Sequence, residues 1–120
     1  MPLHALPRVP PAGAPFEVFP VVRRRSWQEI GLWFPEHATL VSADALGTAP
    51  YYRAGSERLA VNPLLRLTPP RVFLRYAPQC VLVGHGEGVT TDAVPAVHDA
   101  VVLARRRAPA WLLSAARSLF

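Results

Sequence analysis

The sequence predicts a layered fold of the α/β or α+β class, in which helices cover one face of a single small mixed or antiparallel sheet. Two observations support this prediction. Short apolar runs rich in Val, Leu, Phe and Trp, which are typical of strands, occupy the first third of the chain and recur at 79–83. Helical periodicity occurs near the end, where four residues share one predicted helical face: Val94, Val97, Val101 and Ala104.

Three strands are predicted in the first third of the chain, at residues 16–22, 28–34 and 38–42. Pro20 has no backbone N–H, so the first strand is expected to lie at a sheet edge or to end there. The second and third strands are separated only by the polar turn 35–37, and this short connection predicts an antiparallel hairpin.

The middle of the chain is expected to be mostly loop. Residues 43–60 are predicted to form a long loop, a kind of segment that is often functional in compact domains. Asn62 is expected to cap a short helical turn with Pro63 at its first position, and the run 68–70 should break that turn. Residues 79–83 are predicted to form a buried strand that ends in the Gly-rich turn 84–88.

Two helices are expected after this turn. Thr90 or Thr91 is predicted to cap the first helix, the arginines at 105–107 complement its C-terminal dipole, and Pro109 is expected to end it. The second helix is predicted at 110–119, with four side chains facing inward: Trp111, Leu112, Ala115 and Leu119.

The length of 120 residues fits one domain. Residues 1–15, with five prolines, are expected to form an extended N-terminal segment with a short edge strand near 3–9, and residues 16–120 to form the domain. The single Cys80 excludes an internal disulfide framework and a cysteine-cluster zinc site, and it is expected to be a small buried residue.

The composition and charge of the chain predict neither nucleic-acid binding nor membrane association. The net charge of +5 comes from 13 arginines and no lysine, and six of the arginines lie in two triplets at 23–25 and 105–107. Basic residues that bind nucleic acid more often spread along a face between aromatic and polar side chains. No apolar run approaches the ~20 residues that span a bilayer, and the N-terminus does not resemble a secretory signal, so a cytoplasmic protein is expected.

Asp44 and His85 are the strongest candidates for chemistry because each lies just past the end of a predicted strand, entering a loop, where α/β folds collect ligands. Each also has a structural interpretation: Asp44 as a carboxylate that starts a turn, and His85 as a polar residue in a flexible Gly-His-Gly turn. Tyr51 and Tyr52 are interpreted as loop anchors or as a substrate wall. The other histidines carry weaker signals, since His37 is expected to be solvated, His98 to lie at the edge of the apolar face of the first helix, and His4 to be uninformative.

The runs GLWFPEHATLVSADALG (31–47) and VLVGHGEGV (81–89), followed by a helix, resemble the C-terminal half of the metallo-β-lactamase fold. In that superfamily a hairpin precedes a strand ending in a metal-bridging aspartate, and a later strand ends in a metal-binding histidine. Asp44 and His85 match these two positions. The resemblance covers about 16–108 and implies a zinc-dependent hydrolase of ester, thioester or lactone bonds, in which a metal-activated water attacks the substrate.

Two departures from the family pattern weaken this expectation. The principal motif His-x-His-x-Asp-His is absent, and Arg25 stands where a further metal-binding histidine would be. An arginine has no lone pair for a metal and would repel a cation. A catalytic zinc needs three protein ligands, so the two matched ligands of one chain predict weak zinc binding or none.

Three further hypotheses follow. A partner chain, or a second copy in a homodimer, could complete the metal site and cover the exposed apolar face of the sheet, on which Trp33 and Phe34 are expected. The chain could instead be a non-catalytic module, either a scaffold or an anion-binding protein with Arg25 at the rim of its pocket. It could also be a fragment of a longer coding region.

Overall fold

The computed structural model describes residues 15–119, and these form a four-stranded mixed sheet, a two-stranded sheet and two α-helices, which confirms the predicted fold class. The expected strand near 3–9 lies outside the described residues. The strands are β1 (Glu17–Arg24), β2 (Trp27–Phe34), β3 (Thr39–Ser42), β4 (Leu46–Gly47), β5 (Ala60–Val61) and β6 (Cys80–Val83). The α-helices are α1 (Ala93–Val102) and α2 (Ala108–Leu119), and 3₁₀ segments occur at Pro35–His37, Pro63–Leu65 and Arg71–Arg75.

The main sheet has the strand order β1-β2-β3-β6. β2 and β3 form the predicted antiparallel hairpin, and β1 pairs antiparallel with β2 as an edge strand. β6 runs parallel to β3, with Ser42 opposite Val83 at their last residues. Because parallel strands end at the same edge of a sheet, this pairing brings the residues that follow β3 and β6 together.

A β-bulge shapes the edge strand β1. The register with β2 shifts between Pro20 and Val22, so Val21 is the extra residue. The extra residue lets both Phe19 and Val22 reach the buried face although they are three positions apart. Pro20 is exposed on this edge strand, as expected for a residue that cannot donate to a ladder.

One face of the main sheet carries the core. Leu40 and Val81 are fully buried and belong to the same apolar cluster as Phe73 and α1 residues such as Val97. Trp33 also packs against this cluster, with its ring centroid 5.1 Å from that of Tyr76. The expectation that Trp33 lies on an uncovered face is therefore wrong, because its position in β2 places it opposite the buried Leu40.

The opposite face of the main sheet presents a continuous apolar row. Val18, Leu32, Val41 and Leu82 are in register on the four strands. The first three are half-buried, and Leu82 is 46% exposed. Phe34 lies on this face beside Phe16, with ring centroids 5.4 Å apart. We call this row together with Phe16, Ile30 and Phe34 the open face.

Residues 43–60 are more ordered than the predicted loop. β4 and β5 pair at the two ends of this segment and close it, and Leu46, Gly47, Ala60 and Val61 are all buried. The turn that follows agrees with the prediction, since the Asn62 side chain caps it by accepting from the Leu64 backbone N–H at 3.0 Å.

The first helix begins differently from the prediction, and one of its four expected inward residues, Val94, is exposed, whereas Val97, Val101 and Ala104 are buried as expected. Asp92 is the N-cap residue, in a left-handed conformation with φ 47° and no side-chain capping bond, so the expected cap at Thr90 or Thr91 is wrong. The guanidinium of Arg58 donates to the carbonyl and hydroxyl oxygens of Thr91 and to the carbonyl of Asp92 instead. Val94 is 47% exposed, and the buried face consists of Ala93, Ala96, Val97, Ala100 and Val101.

The expected end of α1 at Pro109 is also wrong. α1 ends at Val102, and Pro109 lies in the first turn of α2, where its missing N–H removes no helical hydrogen bond. Leu112 is 63% exposed rather than inward, whereas Trp111 is half-buried and donates from Nε1 to the Tyr51 carbonyl at 2.8 Å. The side chain of Leu119 lies outside the described part of the chain. Among residues 15–119, no helix is long and apolar enough to cross a membrane.

Candidate functional site

The structure brings Asp44 and His85 into direct contact. His85 Nε2 lies 2.8 Å from Asp44 Oδ1, although the two residues are 41 positions apart. The parallel pairing of β3 and β6 continues one step beyond the strands, where the Gly84 N–H donates to the Ala43 carbonyl at 2.9 Å. The side chains remain accessible, at 43% exposed for His85 and 53% for Asp44. A ligand or a partner can therefore reach both of them.

The turn after β6 holds the backbone of His85. Its carbonyl accepts two hydrogen bonds, from the N–H groups of Thr48 at 3.0 Å and Ala49 at 3.1 Å. Gly86 has φ +108°, and a Cβ there would lie 2.2 Å from Thr48 Oγ1. The Gly-His-Gly turn is therefore a close approach between two backbone segments, and it fixes the position from which the imidazole projects.

The buried carboxylate of Glu29 organises the backbone that carries Asp44. Its Oε1 accepts from the Asp44 N–H at 3.0 Å, and its Oε2 accepts from the Ala45 N–H at 3.0 Å and from the Ser42 hydroxyl at 3.5 Å. Burial raises the pKa of Glu29 above its usual 4.5, against the opposing effect of the two backbone donors. Glu29 therefore holds the backbone at Asp44 in place, and both of its carboxylate oxygens already accept hydrogen bonds.

Tyr51 and Tyr52 surround the imidazole. The Tyr51 hydroxyl lies 2.8 Å from His85 Nδ1, and the Tyr52 ring stacks on the imidazole with centroids 5.7 Å apart. The Tyr52 hydroxyl donates to the Asp44 carbonyl at 2.8 Å. Burial raises the pKa of Tyr52 to about 12, so this phenol stays protonated at neutral pH. Tyr52 is an anchor, whereas the exposed Tyr51 combines the roles of anchor and wall.

Tyr51, His85 and Asp44 form a continuous hydrogen-bonded chain. A neutral imidazole has one donor and one acceptor nitrogen. If Nε2 donates to the Asp44 carboxylate, Nδ1 accepts the proton of the Tyr51 hydroxyl. An imidazole oriented by a carboxylate is the arrangement of a general base, and this geometry is suited to holding or moving a proton at Nδ1.

These three hydrogen-bonded side chains line a cleft of about 540 Å³. Trp27, Pro63 and Leu64 complete its walls together with Tyr51 and Tyr52. Asn62 also lines it and donates to the Asp44 carbonyl at 3.2 Å. The cleft falls within the size range of small-molecule sites, which are usually concave and mostly apolar with a few polar groups. The described residues that line it do not include Arg25.

The donor set of one chain does not complete a catalytic zinc site. Asp44 and His85 supply two ligands, whereas catalytic zinc takes three protein ligands and a water. Among residues 15–119, no group of three or more His, Cys, Asp or Glu side chains could hold a metal ion. The nearby carboxylate of Glu29 is committed to Ser42, Asp44 and Ala45.

The remaining histidines lie away from this cleft or outside the described residues. His37 is exposed in the 3₁₀ turn between β2 and β3, as expected. His98 is 61% exposed on α1 and lies beside the adjacent Asp99, with Nδ1 3.3 Å from Oδ1. His4 is not among the described residues. Of the histidines within 15–119, His85 is therefore the one that lines the cleft.

Sequence reasoning missed two residues that define the site. Glu29 supports Asp44, and its one signal was a charged residue inside the otherwise apolar run 28–34. Trp27 forms part of the cleft wall but carried no signal in the sequence, because its position depends on how β2 begins.

Comparison with known proteins identifies no relative of this chain. The chain matches no protein-family model, no curated protein and no solved structure.

Proposed function

We propose that this chain is a metallo-β-lactamase-like half-domain, diverged or truncated, that is not a competent zinc hydrolase as a single chain and acts instead as a ligand-binding module. The observation that carries the proposal is the direct contact of Asp44 Oδ1 with His85 Nε2 at 2.8 Å. The two positions that match the family's metal ligands lie together at adjacent strand ends, yet they contact each other, and among the described residues no third His, Cys, Asp or Glu side chain joins them to hold a metal.

The cleft supports the binding role. It offers an aromatic wall beside a polar pair, and the pair is about half exposed. Both features are typical of small-molecule sites, in which apolar walls supply affinity and a few polar groups fix orientation. A cytoplasmic location is part of the proposal, since one cysteine leaves no internal disulfide to form.

Zinc titration tests the proposal. Calorimetry on the wild-type chain at micromolar concentration should show no saturable binding of one zinc per chain, because two ligands give too little affinity. D44N and H85Q should behave like the wild type. Saturable binding of one zinc that is lost in D44N and H85Q, but kept in the control H98Q on α1, would contradict the proposal.

A second candidate function is a zinc hydrolase completed by a second copy or by a partner chain. Two observations favour it: the Asp44–His85 pair is accessible, and the open face presents an apolar surface around Leu82. When bound, the metal would supply an activated water for ester, thioester or lactone cleavage. In such a complex, Asp44 and His85 would be this chain's metal ligands. Lactone or thioester hydrolysis by a zinc-loaded dimer, lost in D44N and H85Q, would support this candidate.

A further inference from the structure

The charge distribution in the cleft indicates which ligands it accepts. Among the described residues that line the cleft, Asp44 is the one acidic residue and none is an arginine. Among the described residues, only one oxygen of the Asp44 carboxylate is hydrogen-bonded to a side chain: Oδ1 pairs with His85 Nε2. An anion in the cleft would meet this carboxylate with no arginine beside it among the described lining residues, whereas a positively charged ligand would be attracted to it.

The walls of the cleft add a second preference for positive charge. Trp27 is half-buried and Tyr51 is 59% exposed, so both rings can contact a ligand. Aromatic faces carry a negative quadrupole and attract ammonium groups, most strongly on tryptophan. Leu64, which is 74% exposed at the rim, and Pro63 offer apolar contacts for the uncharged part of the same ligand.

We infer that the cleft between Trp27, Tyr51 and Asp44 selects small organic cations that carry an apolar group, such as aryl- or alkylammonium ions, over anions of similar size. The inference rests on the proposed role of the chain as a binding module, and it replaces the anion-binding variant of that role. A cleft of about 540 Å³ is large enough for a ligand with one aromatic ring.

The net charge of the whole chain does not reverse this preference. The charge of +5 opposes the approach of a cation at long range. Salt screens such fields over about 8 Å at physiological ionic strength. The Asp44 carboxylate, in contrast, would lie in contact with the ligand, so it dominates the selection at short range.

Three probes of similar size test the inference by NMR titration of the isotope-labelled chain: benzyltrimethylammonium, benzyl alcohol and phenylacetate. The cation should shift the signals of the Trp27 indole and of residues near Tyr51 and His85, and it should bind about tenfold more tightly than phenylacetate. D44N should reduce this preference to about threefold or less, because it removes the charge and keeps the shape. The control D99N, on α1, should leave the preference unchanged.

The outcomes separate this inference from the proposed function. If benzyl alcohol and phenylacetate bind in the cleft as tightly as the cation, or if D44N keeps the full preference, the inference is wrong while the binding role stands. If none of the three probes shifts the cleft signals of the folded chain, both are wrong. Cation binding outside the cleft would also overturn the inference.

Discussion

Glu29 shows how a single residue sets the geometry of the site. It lies in β2, yet its two oxygens accept hydrogen bonds from the backbone that follows β3, including the N–H of Asp44. Burial is the largest influence on this carboxyl and raises its pKa above 4.5. The folded protein therefore binds this proton more tightly than the unfolded chain does, and the stability that Glu29 contributes falls as pH rises through the range just above 4.5.

The variant Glu29→Gln should reveal this pH dependence, because glutamine does not titrate. We expect the free energy of unfolding of the wild type, relative to Glu29→Gln, to decrease as pH rises above 4.5, by at most about 1.4 kcal/mol for each pH unit. Urea denaturation between pH 4 and pH 7 measures the difference (the control is Glu36→Gln, in the exposed turn after β2). A difference that instead grows with pH would mean that the backbone donors outweigh burial.

Residue patterns could predict Asp44 and His85 because each lies two positions past the last residue of a recognisable strand, and their contact follows from the parallel pairing of β3 and β6. The roles of Glu29 and Trp27, and the contact of Tyr51 with His85, could not be predicted in the same way. Glu29 contacts Asp44 across 15 positions of the sequence, and Tyr51 contacts His85 across 34. Both contacts depend on the direction of the side chains after folding. No local pattern of residue types encodes such distances.

A buried ionic cluster joins parts of the chain that are not connected by β-sheet hydrogen bonds. Arg66, 2% exposed, donates from Nη2 to Glu57 Oε1 at 2.5 Å and from Nη1 to the Ala104 carbonyl at 3.2 Å. Glu57 also accepts from the Ala54 N–H at 2.7 Å and from Arg107 Nη1 at 3.3 Å. The cluster thus ties the segment between β4 and β5 to the connection between α1 and α2, and Arg66 also donates to the Tyr52 carbonyl beneath the site.

Breaking this cluster on one side should destabilise the whole fold. Glu57→Ala leaves the Arg66 guanidinium buried without its counter-ion, and such a change costs about 3–5 kcal/mol. Urea denaturation at neutral pH measures it, with Glu36→Ala as a control at an exposed position. The double variant Glu57→Leu/Arg66→Met should cost less than Glu57→Ala alone, because no charge remains buried. A loss below about 1 kcal/mol for Glu57→Ala would contradict this account.

At the level of elements, apolar runs predicted the strands of the main sheet well, since β1, β2, β3 and β6 overlap the expected segments. The short strands β4 and β5 were missed because two-residue strands have no periodicity of their own. Three of the four residues predicted on the inward face of α1 are buried, namely Val97, Val101 and Ala104, whereas Val94 is exposed and the alanines at 93, 96 and 100 pack towards the core instead. Residue size at close-packed helix positions cannot be read from apolar periodicity alone.

For the molecule as a whole, the open face is the feature that no described element covers. Four apolar residues cross the sheet in one row, and Leu82 at its edge is 46% exposed. Contiguous apolar surfaces of this kind are typical of interaction sites. We expect copies of the chain to pair through this face, and we expect Leu82→Glu to shift the protein to a monomer. Leu113→Glu, at a similarly exposed position on α2, should leave the pairing unchanged.

The most direct test of the central claim is the zinc content of the monomer. Light scattering after size exclusion identifies the monomeric fraction of Leu82→Glu, and elemental analysis of that fraction gives the zinc content per chain. Because Asp44 and His85 supply only two ligands, the account predicts a content well below one zinc per chain after dialysis. A folded monomer that retains one zinc per chain, and loses it in H85Q, would contradict the account.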